Sequence, residues 1–324
     1  MKCTIIGAGS WWTALGQVLS ENGHETKLFS LSQADADSIN QKHENFEYLP
    51  WVHLHEKLTC STNLAQTLDG AEIIVLAVPS KGLTSCLREL KPYYAWQPII
   101  LASKGWNASD FSPLSSLITE RLGTVPIIVL SGASHAEEVV KNQPTKVVLA
   151  SFSKERREKV KNLFHNKRFK CEESEDIVGV QLMGAFKNII ALACGISDGL
   201  KYGTNTKALI LTEGIQEISK IGSSLKIKPE TRKSSAGIGD LYVTCSSVLS
   251  RNRNAGRLLA EGHSKAEITG GLINMVAESL YLTEAIAKFL ATTNESFPLL
   301  DMIIKIVEYN IPAQKAFDLF LESS

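Results

Sequence analysis

Five short apolar runs, CTIIG, TKLFS, EIIVLAV, PIILAS and PIIVLSG, recur along the chain up to Gly132. Each is rich in Ile, Val and Leu. Most are bounded by Gly, Pro or Ser, and several are separated by helix-periodic segments such as ALGQVLSENG and PSKGLTSCLREL. A near-continuous apolar run reads as a strand buried on both faces, and parallel strands with helical crossovers provide that burial. The pattern therefore predicts an open α/β domain built from βαβ units. KVVLASF, the helix candidate KERREKVKNLF and the short run FKCEE carry the chain to about Asp176. Beyond that point only helical periodicity remains, so the expected division is an α/β domain over 1–175 and an all-helical domain over 176–324. The first helical segment, EDIVGVQLMGAFKNIIALACGISDG, is apolar nearly all round. With small residues at Gly179, Gly184 and Ala185, it suits a buried central helix closely packed by its neighbours.

Composition narrows the partners. Thirty-four basic and 34 acidic residues cancel, and 44% of the 324 residues are apolar. Such a chain can bury a sizeable core but has no overall electrostatic footprint for nucleic acid or an anionic membrane, which favours a small partner. The six cysteines are scattered, without a C-x-x-C pair or a histidine at zinc-ligand spacing, so they read as buried reduced thiols and no metal is expected. Glycines interrupt the opening apolar run, and no uncharged stretch approaches a membrane span. The expectation is a cytoplasmic protein with no stable membrane insertion.

The loop GAGSWWTALG follows a strand candidate and precedes a helix candidate, the context of a dinucleotide-binding turn. Gly7 can make the tight turn and Gly9 can let backbone N–H groups approach a pyrophosphate. The third glycine position, which serves helix-to-strand packing, holds Trp12. This tryptophan is expected to push the first helix outward or swing into the pyrophosphate space, and so to weaken dinucleotide binding. At the end of the second strand, Phe29, Ser30, Leu31 and Ser32 supply neither a carboxylate for a ribose hydroxyl nor an arginine for a 2′-phosphate. The choice between NAD and NADP stays open.

Three further clusters carry chemistry-bearing residues: ASKGWN with Lys104, FKNIIALACGISDG with Lys187, and SAGIGDLYVTCSSVLSRNRNAG with Asp240, Arg251, Asn252 and Arg253. Lys104 could be a solvated loop lysine and the arginines a helix-end charge cluster. A lysine flanked by AF and NIIALA differs, because its burial is costly unless it is paired or functional. Asp240 is the candidate partner.

Taken together, GAGSW, YLP, AVPS, SKG, SGAS, GVQLMGAFKNIIALACGISDGL, AGIGDLYVTCSS, SRNR, MVAES and FPL resemble, in content and order, the bacterial NAD(P)-dependent glycerol-3-phosphate dehydrogenases. The resemblance implies a Rossmann-like N-terminal domain that binds NADP or NAD, and a helical C-terminal domain that completes the site for a small phosphorylated substrate. It also implies hydride transfer between dihydroxyacetone phosphate and glycerol 3-phosphate, a precursor of phospholipids; a homodimer is compatible with it. By the same resemblance, Lys187 is the catalytic proton donor and acceptor, Lys104 contacts substrate and cofactor, and Asp240 orients Lys187 or binds a substrate hydroxyl. Ser250, Arg251 and Asn252 match the substrate-phosphate clamp, and Gly132 and Ser134 a substrate loop. Gly7, Gly9, Ser10, Trp11, Ala136, Val276 and Glu278 match cofactor contacts, to which Lys104 and Arg251 also belong.

Several positions depart from the pattern. Trp12 replaces a glycine, Ala133 and His135 replace the usual Pro and Phe, and Leu31 stands where a basic residue often meets the ribose. Glu213 replaces an arginine and Ser279 a glycine. His135, a lone histidine in its stretch of sequence, reads as packing or capping a loop rather than as catalysis. The departures keep two alternatives in view: a dehydrogenase for another phosphorylated 2-hydroxy compound, and a divergent paralogue with weakened or lost cofactor binding, signalled by Trp12, Leu31 and Ser279.

Overall fold

The apolar runs pair as expected in the computed structural model, which describes residues 1–7, 9–272 and 277–323. Eight strands form one sheet: β1 (Lys2–Gly7), β2 (Glu25–Phe29), β3 (Leu58–Ser61), β4 (Ile73–Ala77), β5 (Ile99–Leu101), β6 (Ile127–Ala133), β7 (Thr145–Ala150) and β8 (Phe169–Ser174). Their order is β3-β2-β1-β4-β5-β6-β7-β8. Every pair is parallel except β6 with β7. That exception follows from the connection, which holds only the one-turn helix Ala136–Val139, whereas a parallel return needs a crossover of about a dozen residues or more. The strand β3 is missing from the sequence reading. It is a four-residue edge strand with two buried positions, too short to register as an apolar run.

The chain leaves β1 toward β2 on one side and returns to β4 on the other, so the C-terminal ends of β1 and β4 flank a topological switch point. Crevices of that kind are where open α/β sheets bind ligands.

The chain separates into two units. One comprises Met1–Lys104 with Ser115–Ile177, and the other Gly105–Leu114 with Val178–Ser324. The helical unit thus takes in a segment that the sequence reading assigns to the first domain. Aromatic packing explains why: Phe111 stacks on Phe289 at 4.3 Å and meets Phe186 edge-on, and Trp106 lies 5.9 Å from Phe111. The helix Ile177–Gly199 is the centre of this unit, with every residue from Gly179 to Ser197 buried. Its length and composition would suffice to cross a membrane, but 89% of its most apolar window is packed inside the protein.

Two close approaches lock neighbouring helices onto this centre. A Cβ on Gly195 would lie 1.8 Å from the Arg253 carbonyl oxygen, and one on Gly256 would lie 2.0 Å from that of Leu192. Helix Arg251–Ala260 therefore touches the central helix backbone to backbone. Glu217, 2% exposed on helix Thr204–Ser224, supplies a different lock. Its two carboxylate oxygens accept the N–H groups of Leu299 and Leu300 at 2.7 and 3.0 Å, capping a helix whose own N-cap residue, Phe297, makes no side-chain cap bond.

Burial pushes the Glu217 carboxyl up to about 7 from an ordinary 4.5, despite the pull of the two N–H groups and Lys220. Because the folded value exceeds the unfolded one, the native protein holds this proton more tightly. Its contribution to stability is fully present below 4.5 and is lost as pH rises through about 7. Glu217→Gln should flatten that decline, by about 3 kcal/mol at most across the window. Melting temperatures of both proteins from pH 4 to 8 check this, and parallel curves would refute it.

Candidate functional site

In the α/β unit the glycine loop opens the helix Ser10–Glu21. Gly9 has φ +143°, a region open in practice only to glycine, and nothing lies within 4 Å of where its Cβ would be. It is the N-cap of a 12-residue helix and makes no side-chain cap bond. N–H groups at the start of such a helix suit a phosphate, and the open side of Gly9 leaves room for one. The loop's residues thus fit a dinucleotide pyrophosphate, with Gly7 at the end of β1 and Ser10 in the first helical turn.

Trp12 does not obstruct that loop. It is fully buried in the core of the unit, and its Nε1 donates to the Ile5 carbonyl of β1 at 3.1 Å. A Cβ on Gly7 would come within 2.7 Å of the Ala77 oxygen and 3.2 Å of the Trp12 ring, so the indole fills the space between helix and strand. The expectation that Trp12 enters the pyrophosphate space is thereby corrected: an indole finds a backbone acceptor and apolar walls inward. Trp12→Gly should accordingly cost about 4 kcal/mol or more in stability rather than improve cofactor affinity. Denaturant unfolding of the variant measures this, and a stable variant with tighter dinucleotide binding would contradict it.

Lys104, Trp11, Gly132 and Ser134, distant in sequence, converge at the C-terminal ends of the strands. The Lys104 ammonium donates to the Gly132 carbonyl at 2.8 Å, lies 3.5 Å from Ser134 Oγ, and sits 5.8 Å from the centre of the Trp11 ring. Gly132, at φ +150°, is held against β7, where a Cβ would meet the Val147 Cα at 2.7 Å. Ala136 is buried as the first residue of the helix after β6, with His135 as its N-cap. Leu31 is exposed beyond β2, and Ser30 is buried with its hydroxyl on Asp35 at 2.8 Å.

In the helical unit, the central helix presents Lys187, 6% exposed, to Asp240, 1% exposed, and the two form a direct hydrogen-bonded ion pair. Neither charge could be buried alone without a large desolvation cost, and each compensates the other. Asp240 stands at the start of helix Asp240–Ser246. It follows a turn in which a Cβ on Gly237 would strike the Arg232 and Thr231 carbonyls at 2.3 and 2.4 Å.

The SRNR run sorts into different roles. Ser250 caps helix Arg251–Ala260 by accepting from the Arg253 N–H. Arg253 is bound to Asp198, which also pairs with Lys207 at 2.5 Å, and to the Ser246 carbonyl at 2.7 Å. Burial pushes the Asp198 carboxyl up, but Arg253 and Lys207 outweigh it and hold it below its ordinary value. Arg253 is therefore a structural cation, whereas Arg251 projects from the exposed side of the helix start.

Asn252 is buried and donates to Asn188 Oδ1 at 3.0 Å, while its own Oδ1 accepts from the backbone and hydroxyl of Ser279. Sequence reasoning passed over Asn188, although a buried amide beside Lys187 on an apolar helix carries the same signal of a paired or functional group. Glu278 begins helix Glu278–Leu290. Val276 lies outside the described residues. Five of the six cysteines are buried and all are free thiols, with Cys86 half-buried.

Two family models match the chain: NAD-dependent glycerol-3-phosphate dehydrogenase N-terminus over residues 2–157, and the C-terminus of the same family over 176–318. A protein of Shouchella clausii named glycerol-3-phosphate dehydrogenase (NAD(P)+) is 43% identical over 289 residues, covering 88% of this chain and 85% of its own. A protein of Agathobacter rectalis with the same name is 37% identical over 313 residues, covering 96% of this chain and 93% of its own. The crystal structure of glycerol-3-phosphate dehydrogenase from Coxiella burnetii superimposes with a TM-score of 0.93 at 34% identity, over 99% of this chain and 98% of that one. With both halves matched and the buried Lys187–Asp240 pair in place, the chain belongs to the NAD-dependent glycerol-3-phosphate dehydrogenase family.

Proposed function

We propose that this chain catalyses reversible hydride transfer between NAD(P)H and C2 of dihydroxyacetone phosphate, giving glycerol 3-phosphate. The observation that carries the reading is the buried Lys187–Asp240 pair, a proton donor held where its charge is compensated. The nicotinamide, when bound, supplies or accepts the hydride. Lys187 gives a proton to the carbonyl oxygen in reduction and takes it back in oxidation, and Asp240 holds its ammonium in place. Lys104, a half-buried cation anchored on Gly132, polarises the developing alkoxide. Arg251, with Ser250 and Asn252, receives the substrate phosphate, a guanidinium plus neutral donors being suited to a dianion. Gly7, Gly9, Ser10 and Trp11 hold the pyrophosphate end of the cofactor, and Ala136, Val276 and Glu278 add further cofactor contacts.

The same reading makes the protein a cytoplasmic supplier of a glycerophospholipid precursor. The reading of a paralogue without cofactor binding loses two of its three signals: Trp12 belongs to the core and Ser279 bonds Asn252. Purified protein mixed with dihydroxyacetone phosphate and either NADH or NADPH should lose absorbance at the nicotinamide band. No loss with either cofactor would refute the activity.

A further inference from the structure

We propose that Ser279 is a positioning residue for the substrate phosphate, acting by fixing which way the amides of Asn252 and Asn188 face; this rests on Asn252 being a phosphate contact, as read above. A backbone N–H can only donate, and that of Ser279 points at Asn252 Oδ1 from 3.1 Å. The Ser279 hydroxyl donates to the same oxygen at 2.8 Å, so both of its lone pairs are engaged. Asn252 must therefore turn its Nδ2 the other way, where one hydrogen goes to Asn188 Oδ1 at 3.0 Å. With one lone pair of that oxygen engaged by Asn252, the Asn188 amide turns its Nδ2, a donor, away from Asn252. Each amide thereby keeps an Nδ2 hydrogen beyond these bonds, a donor of the polarity that a phosphate, an acceptor on every oxygen, requires.

Burial makes the setting firm. Ser279, Asn188 and Asn252 are all less than a tenth exposed, so a flipped amide would place oxygen against oxygen where water cannot compensate. The bonds span three helices, and they end at the residue next to Lys187. The backbone approach at Gly195 and Gly256 holds two of those helices at the spacing that lets the asparagines meet. Ala277, the N-cap of helix Glu278–Leu290, makes no side-chain cap bond, so Asn252 Oδ1 also satisfies a first-turn N–H there. The hydroxyl at 279 is thus a substrate-side feature, although the residue follows Glu278, which the resemblance assigns to the cofactor.

Ser279→Ala removes the hydroxyl donor and leaves the backbone one, so the amide setting loosens without being lost. Calorimetric titration should show inorganic phosphate and glycerol 3-phosphate binding weakened roughly three- to tenfold. KM for dihydroxyacetone phosphate should rise by a similar factor, while kcat stays within about twofold. KM for the dinucleotide and for unphosphorylated dihydroxyacetone should not move, and Ser279→Thr, which keeps the hydroxyl, should restore phosphate binding. Unchanged phosphate binding in Ser279→Ala, or an equal loss for the unphosphorylated substrate, overturns the proposal, as does a shift confined to the dinucleotide. A wild-type protein that binds phosphate but turns nothing over would sink the dehydrogenase reading instead, with the titrations still deciding the role of Ser279.

Discussion

Lys187→Ala is expected to lower kcat by about 10²–10⁴-fold, the range typical of a lost general acid, while glycerol 3-phosphate binding is largely retained. The reasoning is that a hydride arriving at C2 leaves negative charge on the oxygen, which in the proposed mechanism Lys187 neutralises by proton transfer. Removing the lysine also breaks its ion pair with the buried Asp240 carboxylate, and removing one partner of a buried pair costs about 3–5 kcal/mol, so a lower melting temperature should accompany the loss. Lys187→Arg separates chemistry from stability. The guanidinium keeps a positive charge opposite Asp240 but does not release its proton near neutrality. It should recover part of the melting temperature and none of the turnover. Stopped-flow reduction of dihydroxyacetone phosphate by both variants, with thermal denaturation alongside, provides the measurement. Turnover by Lys187→Arg near the wild-type rate would remove Lys187 from the proton-transfer role.

Gly195→Ala is expected to unfold or severely loosen the helical unit, at a cost of about 4 kcal/mol or more. By intrinsic propensity alone the change should help, since alanine is favoured over glycine in a helix interior by about 1 kcal/mol. The structure reverses the sign because the added methyl would stand 1.8 Å from the Arg253 carbonyl oxygen, which is backbone and cannot rotate away. The two helices must separate, which opens a gap along the core and pulls Asn252 from Asn188. Gly82→Ala is the control: nothing lies within 4 Å of its Cβ position and its φ is −88°, so its stability should stay within about 1 kcal/mol of wild type. Urea unfolding of the three proteins tests the pair. A Gly195→Ala protein as stable as Gly82→Ala would mean the helices are not held at this distance.

Much of the fold was legible because the signals are local. The five apolar runs located β1, β2, β4, β5 and β6, while β7 and β8 fall in the segments KVVLASF and FKCEE that follow, and the loss of that rhythm near Asp176 marked where the helices take over. The missed strand, Leu58–Ser61, buries only two side chains, and so little apolar surface leaves no pattern to read. The helical unit's claim on Gly105–Leu114 was hidden for another reason: Trp106 and Phe111 pack against residues far along the chain.

The candidate site divides in the same way. Lys187 was legible because a lysine in an apolar helix must be paired, whatever surrounds it. The anchoring of Arg253 was not legible, because it depends on Asp198, 55 residues earlier in the chain, coming to lie beside it.

By itself the sequence determined the βαβ order, the glycine turn at Gly7 and Gly9, the helical second half and the need for a partner at Lys187. Each follows from backbone preference or burial cost acting over a few neighbouring residues. Tertiary structure alone decided that Trp12 turns into the core and that Ser279 reaches across to Asn252 and through it to Asn188. The last two bonds close over 27 and 64 residues of chain. Their formation depends on where whole helices come to rest, which for helices 177–199 and 251–260 is set by the contact at Gly195 and Gly256.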